Sequence, residues 1–278
     1  MQALVLEGRR DLQIRDVPEP EFGARDVLMH VKASGICGSD VNGYDGSTGR
    51  RIPPLIMGYE AAGLVAQVGS DVRSIRVGDR VTFDSTVSCG NCSFCRVGDV
   101  NLCDKRQVLG ISCGDYCRNG AFAEYVCVPE RIVCQLSQSF AFKKAALIEA
   151  VSIAVHAAKI TNIKLDNSAV VVGTGMIGLL AVQALRVFGC TKVIAVDLEE
   201  SKLALAKELG ADEALLAADP DLMAKLQAAT GGQGPDIAVE VVGAQKSIVT
   251  AIEAVRRGGT VTPIGTLPRR SRYPCRSW

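Results

Sequence analysis

Residues 168–180 read SAVVVGTGMIGLL, a short run of small and β-branched apolar residues that ends abruptly in glycines. The run Ser168–Val172 predicts a buried strand, because a short continuous apolar stretch suits the interior of a parallel sheet. Glycines follow at Gly173, Gly175 and Gly178, and an apolar helical pattern begins among them. The stretch therefore predicts a strand, a tight turn and a helix in direct succession.

The glycine spacing is that of a dinucleotide-binding turn. In G-x-G-x-x-G the first glycine permits the turn, the second lets the backbone approach a pyrophosphate, and the third lets the helix pack on the strand. Asp197 ends the next apolar run, KVIAVD, ~20 residues further on, where its carboxylate can accept hydrogen bonds from a ribose 2′-hydroxyl. The same charge would repel a 2′-phosphate, so NAD(H) is favoured over NADP(H). A glycine-rich turn without a ligand is the alternative.

The fold class follows from the patterns on either side of this turn. From about Phe142, short apolar runs alternate with helical patterns of ~10–15 residues, which predicts a doubly wound parallel sheet. The first half shows short alternating strands and turns instead. We therefore predict an α/β protein with a mostly-β domain over 1–150 and a dinucleotide-binding domain over 151–278.

Three local expectations accompany this division. Residues 143–160, KKAALIEAVSIAVHAAKI, predict one long helix with His156 packed in the core. Asp219 and Pro220 predict the cap and first turn of a later helix. Residues 267–278, LPRRSRYPCRSW, are basic and patternless where such a domain usually has a further strand. We expect either a naturally short, C-terminally truncated chain with an incomplete sheet or a frameshifted tail.

Composition excludes several classes of function. The chain of 278 residues is 48% hydrophobic and 22% charged, as globular proteins are, and its formal net charge is +1. Near neutrality gives no electrostatic case for nucleic acid or an anionic membrane surface. No apolar run approaches the ~18 residues of a membrane span. We therefore expect a soluble, cytoplasmic protein whose partner is a small molecule.

Four of the 11 cysteines share one short loop, CGNCSFCRVGDVNLC. Cys89, Cys92, Cys95 and Cys103 have the spacing C-x2-C-x2-C-x7-C, which suits a closed tetrahedral zinc site with no position left for substrate. The sequence thus predicts a structural zinc lobe over 89–103. A redox C-x-x-C pair is the alternative.

A second group of candidate residues lies in GICGSDVNGY. Cys37 follows a predicted strand, and the hydroxyl of Ser39 and the carboxyl of Asp40 stand beside it, as a proton relay and a group that orients a ligand would. His30, on the outer face of its strand, is expected to have a structural role. We expect the remaining cysteines, at 113, 117, 127, 134, 190 and 275, to be buried or incidental thiols.

Taken together, the motifs GICGSD, GYEAAG, the four-cysteine loop, GAFAEY, ALIEA, GTGMIG and VDLEESK resemble a known family. From Met1 to about Leu267 the chain is similar to the zinc-containing alcohol dehydrogenases of the medium-chain dehydrogenase/reductase family. The resemblance is greatest to the polyol branch, with sorbitol, galactitol-phosphate and butanediol dehydrogenases. It implies a GroES-like catalytic domain, then a Rossmann domain, with the active site in the cleft between them. Full-length members are expected to be homodimers or homotetramers.

The resemblance also implies roles for individual residues. Cys37, Glu60 and Glu149 match ligand or near-ligand positions of a catalytic zinc, Ser39 matches the hydroxyl that receives the alcohol proton, and Asp40 matches an acid that orients a ligand. The implied cofactor-binding residues are Gly173, Gly175, Met176, Ile177, Gly178, Asp197, Lys202 and Val242.

One position departs from the family pattern. Tyr59, in IMGYEAAG, stands where the family has a ligand histidine, and a phenol with a pKa near 10 is a poor substitute for imidazole at neutral pH. We therefore expect a zinc-dependent oxidoreductase that transfers a hydride from a polyol or secondary alcohol to NAD⁺. The alternative is a catalytically impaired NAD-binding relic of such an enzyme. A zinc-free reductase of the same superfamily is a third interpretation.

Overall fold

The fold consists of two units that differ in secondary structure. The computed structural model describes residues 1–266, and the sequence prediction for the tail lies outside them. One unit covers Met1–Glu149 and the other begins at Ala150. We call them the N-terminal and C-terminal units.

The N-terminal unit is built mainly from strands. Its central sheet is antiparallel and has five strands in the order β11-β3-β5-β6-β12. The strands of the unit are β1 Gln2–Gly8, β2 Asp11–Asp16, β3 Asp26–Gly35, β4 Leu55–Ile56, β5 Glu60–Val68, β6 Arg80–Phe83, β7 Thr86–Val87, β8 Gln107–Val108, β9 Ile111–Cys113, β10 Tyr116–Arg118, β11 Tyr125–Pro129 and β12 Val133–Gln135. Its short helices are α1 Gly38–Tyr44, α2 Ser93–Val97 and α3 Phe142–Ala145. Alternate residues of β3, such as Val27 and Met29, lie in the core because side chains of a strand alternate between faces.

The C-terminal unit is the predicted doubly wound sheet. Up to residue 266, five parallel strands have the order β15-β14-β13-β16-β17. The strands are β13 Ser168–Val172, β14 Lys192–Asp197, β15 Glu213–Leu216, β16 Ile237–Glu240 and β17 Thr260–Pro263. The helices are α4 Ile148–Ile160, which crosses from one unit into the other, α5 Met176–Val187, α6 Glu200–Glu208, α7 Leu222–Ala229 and α8 Gln245–Ala254. The central residues of β13 and β14, such as Val170 and Ile194, are apolar and buried because helices pack on both faces of the sheet.

Two predicted helices begin or break elsewhere than expected. The pattern over 143–160 forms two helices, α3 and α4, rather than one. Asp219 and Pro220 form a turn, in which the Leu222 amide donates to the Asp219 carbonyl at 3.2 Å, and α7 begins only at Leu222. The Asp219 side chain accepts the Asp221 amide, so it closes this turn instead of capping the helix.

The expectation of a core position for His156 is wrong, because its side chain is exposed. Helix α4 buries a face of small residues: Ala150, Ala154, Ala157 and Ala158. The spacing of these alanines defines the inward face, and His156 lies off it. Small side chains let the helix approach its neighbours closely, so the larger ones of α4 are turned outward.

Within residues 1–266, none of the helices combines the length and the apolar character that a membrane crossing requires.

Candidate functional site

The four-cysteine loop gathers its thiols into one cluster. The Sγ atoms of Cys89, Cys92, Cys95 and Cys103 all lie within 4.8 Å of one another. Backbone amides of Asn91 and Cys92 lower the pKa of the Cys89 thiol to about 6, which favours the thiolate that binds metal. Between residues 1 and 266 this is the only group of three or more histidine, cysteine or acidic side chains so placed. The donor set fits a structural zinc ion.

The glycine-rich turn has the close approaches that its sequence predicts. Gly173 lies at φ +96, and a Cβ on Gly178 would be 1.9 Å from the Gly173 carbonyl oxygen. A side chain at Gly173 would be strained at this φ and would clash with neighbouring valine side chains, and one at Gly178 would require the backbone to move. Gly175, at the start of α5, has no atom within 4 Å of where its Cβ would lie. The turn is thus tight where strand meets helix and open above the first helical amides, where a pyrophosphate would bind.

Asp197 is tied to this turn by hydrogen bonds. Its Oδ2 accepts the Thr174 amide at 2.6 Å and the Thr174 hydroxyl at 3.1 Å, and its Oδ1 accepts the amides of Leu198 and Glu199. Burial raises the pKa of this carboxyl, but the amide donors outweigh burial and the net pKa is lowered. The buried Thr174, which the sequence analysis missed, thereby links the turn to the end of β14.

The other predicted cofactor residues surround the same end of the sheet. Met176 and Ile177 form the half-buried first turn of α5, and Val242 is exposed just beyond β16. Lys202, on α6, pairs with Glu199 at 2.7 Å. Together with Asp197 these residues lie near the carboxyl ends of the strands, where doubly wound sheets bind ligands.

A polar network in the N-terminal unit contains several of the other predicted residues. The Tyr59 hydroxyl lies 2.7 Å from Ser39 Oγ, and the Cys37 amide donates to Asp40 Oδ2 at 3.1 Å. Burial and the neighbouring Cys37 raise the pKa of the Tyr59 phenol well above its ordinary value, so the hydroxyl keeps its proton. The phenol is therefore a hydrogen-bonding group and not an anionic ligand.

Arg51 completes this network and was missed by the sequence analysis. Its Nη2 donates to Ser39 Oγ at 3.2 Å and to Asp40 Oδ1 at 3.4 Å. Gly43 leaves room for it, since a Cβ there would lie 2.4 Å from Arg51 Cγ. The run GRRIPP gives no periodic signal for a buried arginine, so only the three-dimensional structure identifies this one.

Two glutamates, Glu60 buried and Glu149 half-buried, belong to the same region. Glu60 is 1% exposed, and neither of its carboxyl oxygens has a hydrogen bond of ordinary geometry within residues 1–266. Burial raises its pKa, and the nearby Cys37 thiol opposes this shift only in part. Burial and then the charge of Glu60 raise the pKa of Glu149 to about 7. A buried carboxyl without a partner is costly, and a cation beside Glu60 would remove that cost.

The predicted catalytic zinc ligands are less compactly grouped than the four cysteines, although the Cys37 thiol lies close enough to Glu60 to oppose the rise that burial causes in its pKa. Cys37, Glu60 and Glu149 do not form a compact group of the kind that the cysteine loop forms, among the residues described. They are close enough to interact electrostatically. In addition to burial, the charge of Glu60 raises the pKa of Glu149, whereas the Cys37 thiol acts to lower the pKa of Glu60. The site therefore has candidate donors without the close geometry of a finished metal centre.

Comparison with known proteins identifies the family. The alcohol dehydrogenase GroES-like domain matches residues 23–138, and the zinc-binding dehydrogenase domain matches residues 177–277. Sorbitol dehydrogenase of Bacillus subtilis is 36% identical over 277 residues, which cover 99% of this chain and 77% of that enzyme.

Solved structures are similar across both units. A protein of Sinorhizobium meliloti, described as a zinc-binding dehydrogenase bound to NADP, has a TM-score of 0.90 at 33% identity, covering 99% of this chain and 79% of that one. An Escherichia coli alcohol dehydrogenase in complex with NADH has a TM-score of 0.88 at 30% identity, with coverages of 99% and 79%. The prediction of a GroES-like domain followed by a Rossmann-type domain is confirmed. The chain belongs to the family of zinc-binding alcohol dehydrogenases, among which its relatives include polyol dehydrogenases.

Proposed function

We propose that this chain transfers a hydride between a polyol or secondary alcohol and NAD⁺. The observation that carries the proposal is the turn at Gly173–Gly178, closed to side chains at Gly173 and Gly178 and open at Gly175. This geometry suits a pyrophosphate held by the first amides of α5. The similarity to sorbitol dehydrogenase supports an alcohol with several hydroxyl groups as substrate.

NAD⁺ is preferred over NADP⁺ because of Asp197. Its lowered pKa keeps the carboxylate ionised at neutral pH, beside the turn that would hold the pyrophosphate. The Asp197 carboxylate would repel a 2′-phosphate, whereas a ribose 2′-hydroxyl would donate a hydrogen bond to it. The similar protein of Sinorhizobium meliloti was solved with NADP bound, so the two cofactors both occur among structures of this fold.

The N-terminal network would handle the alcohol proton. Ser39 Oγ accepts from Arg51 and lies 2.7 Å from the Tyr59 hydroxyl. Ser39 could therefore take up the alcohol proton while it gives its own to Tyr59, whose phenol proton would pass on to solvent. When bound, a catalytic zinc ion would lower the pKa of a coordinated alcohol. Cys37, Glu60 and Glu149 are the residues that would hold it, and the unpartnered oxygens of Glu60 are the observation that favours a cation here.

A second candidate function is favoured by Tyr59. Its protonated phenol is engaged with Ser39 and cannot replace an imidazole ligand. On this alternative the chain keeps the cofactor site and the structural zinc but is impaired in alcohol oxidation. The two candidates differ in metal content and in what a histidine at position 59 would restore.

Zinc analysis of the purified wild-type chain and of Tyr59→His separates the candidates. The impaired chain should hold about one zinc, in the cysteine loop, whereas Tyr59→His should hold about two, because imidazole binds Zn²⁺ at neutral pH. Sorbitol-dependent formation of NADH, followed by absorbance, should rise with the second zinc. Tyr44→His places a histidine at another half-buried tyrosine of the same unit and should change neither quantity.

Each result decides between the candidates. Wild-type protein that already holds about two zinc ions and oxidises sorbitol would refute the impaired alternative. If Tyr59→His folds but gains neither zinc nor activity, Tyr59 is not the limiting residue. A wild-type chain that binds no NADH would contradict both candidates.

A further inference from the structure

The dinucleotide turn lies between two acidic side chains at the ends of neighbouring strands. Strand β13 pairs with β14 on one side and with β16 on the other, and Val172 is in register with both Val196 and Glu240. Gly173 follows Val172 directly. Asp197 therefore stands beside the turn at the end of β14, and Glu240 at the end of β16.

Glu240 is wholly buried and holds the backbone beyond its own strand. Its side chain has 0% exposure. Its Oε1 accepts the amides of Val242 and Gly243, each at 2.8 Å, and lies 2.7 Å from Ser247 Oγ. Its Oε2 has no hydrogen-bond partner within residues 1–266. Burying a carboxyl group is costly. The three contacts at Oε1 offset this cost, and they fix the backbone that follows β16.

The segment that Glu240 holds forms one wall of the turn. A Cβ on Gly173 would lie 2.5 Å from Val242 Cγ2 and 2.9 Å from Val241 Cγ2, so both valines pack against the first glycine. On the other side, a Cβ on Gly265 would lie 2.1 Å from the Gly243 nitrogen. The Val242–Gly243 peptide is thus enclosed between the Glu240 carboxyl and the backbone at Gly265.

The side chain of Val242 is 56% exposed although its backbone is fixed. An exposed apolar group on a rigid backbone, directly beside the open turn, is suited to contact a flat ring or a ribose. Its position depends on two amides, and both donate to the same carboxyl oxygen.

We propose that Glu240 is a positioning residue for the dinucleotide, acting through Val242. It holds the Val242–Gly243 peptide so that the valine side chain lies against the bound nicotinamide dinucleotide. The inference rests on the proposed cofactor, since Glu240 itself would not touch it. It adds a determinant of cofactor affinity that lies outside the glycine motif.

The test compares NADH affinity with stability in two variants. Glu240→Met keeps the length of the side chain but cannot accept from the two amides, and it should weaken NADH binding about tenfold or more. Glu240→Gln keeps one carbonyl oxygen at the place of Oε1 and should stay within about threefold of wild type. The dissociation constant is measured by titration calorimetry with NADH, and the urea midpoint is measured for each variant.

Asp236→Asn is the matched control. Asp236 precedes the same strand, at its opposite end, and accepts the Ser168 amide and Arg256 Nε. This variant should lower the urea midpoint and leave NADH affinity unchanged. A purely structural Glu240 would likewise lower only the midpoint.

Three results would overturn the proposal. Folded Glu240→Met that binds NADH like wild type would show that Glu240 does not position the cofactor. Equal weakening in Asp236→Asn would show that affinity follows general stability. Should Glu240→Met fail to fold, Val242→Ala tests the same wall of the turn, and wild-type NADH affinity in that folded variant would contradict the proposal. A wild-type chain without NADH binding would refute the cofactor itself, a separate outcome from these.

Discussion

Arg51 and Asp40 form an ion pair in which each side chain is only 2% exposed. Ionised groups this far from water are retained only when their partners satisfy them. Ser39 accepts a further hydrogen bond from the same guanidinium, and Tyr59 lies against Ser39. Replacement of one member therefore affects the whole network and not a single contact.

Removal of Arg51 should be strongly destabilising. Arg51→Met leaves Asp40 buried without its cation, and we expect a loss of about 3–5 kcal/mol in the free energy of unfolding. Urea denaturation measures it. Arg50→Met, at the exposed neighbouring arginine, should stay within about 0.5 kcal/mol of wild type. Equal effects of the two variants would show that the buried pair contributes no more than a surface charge.

These residue-scale contacts were only partly predictable. Cys37, Ser39 and Asp40 stand together in the sequence, and so they could be grouped from it. Arg51 lies 11 residues from Asp40, and Tyr59 lies 20 from Ser39. No local pattern links positions that only the packing of α1 and the following loop brings together. Glu240 was partly predictable. A glutamate inside the apolar run DIAVEVV could have been recognised as a buried acid, but the amides that it binds could not.

At the scale of elements, strands were predicted more accurately than helix faces. The runs SAVVV and KVIAVD coincide with β13 and β14, because the middle of a strand that is buried on both sides is mainly apolar. Helix α4 is different, since apolar side chains occur all around it. Its buried face is the alanine face, which hydrophobicity alone does not distinguish, and His156 was therefore misplaced.

The turn between β13 and α5 permits a paired test of fold and ligand binding. Gly175→Ala meets nothing within 4 Å, so the variant should fold with wild-type stability while its methyl group obstructs the pyrophosphate and weakens NADH binding. Gly178→Ala places a methyl group 1.9 Å from a backbone oxygen and should destabilise the fold itself. Thermal unfolding and NADH titration distinguish the two. If Gly175→Ala bound NADH normally, the cofactor would not approach the backbone there.

At the scale of the whole chain, the C-terminal unit carries several carboxyls with lowered pKa values. Burial raises the pKa of Asp197, Asp212 and Asp236, but amide donors, and for the latter two a neighbouring arginine, outweigh burial. The folded state therefore stabilises the ionised form of each carboxylate relative to the unfolded chain. This contribution to stability is complete above the unfolded-state pKa of about 4 and is lost as the pH falls through the folded-state values.

We expect the urea midpoint of the C-terminal unit to fall between pH 5 and pH 3, and to fall less in Asp236→Asn, since the variant has no carboxylate to protonate there. Pulse-labelling hydrogen exchange at fixed labelling pH, read in peptides from β13 to β16, observes this unit separately from the N-terminal strands. Asp221→Asn, at an exposed aspartate of the same unit, should keep the wild-type pH dependence. A wild-type midpoint that did not change over this range would mean that the partners of these carboxylates are equally well formed in the unfolded chain. If the urea midpoint of Asp236→Asn fell with pH as steeply as that of wild type, Asp236 would not contribute to the pH dependence. Asp197 and Asp212 would then be the carboxyls that make the stability of the sheet depend on pH.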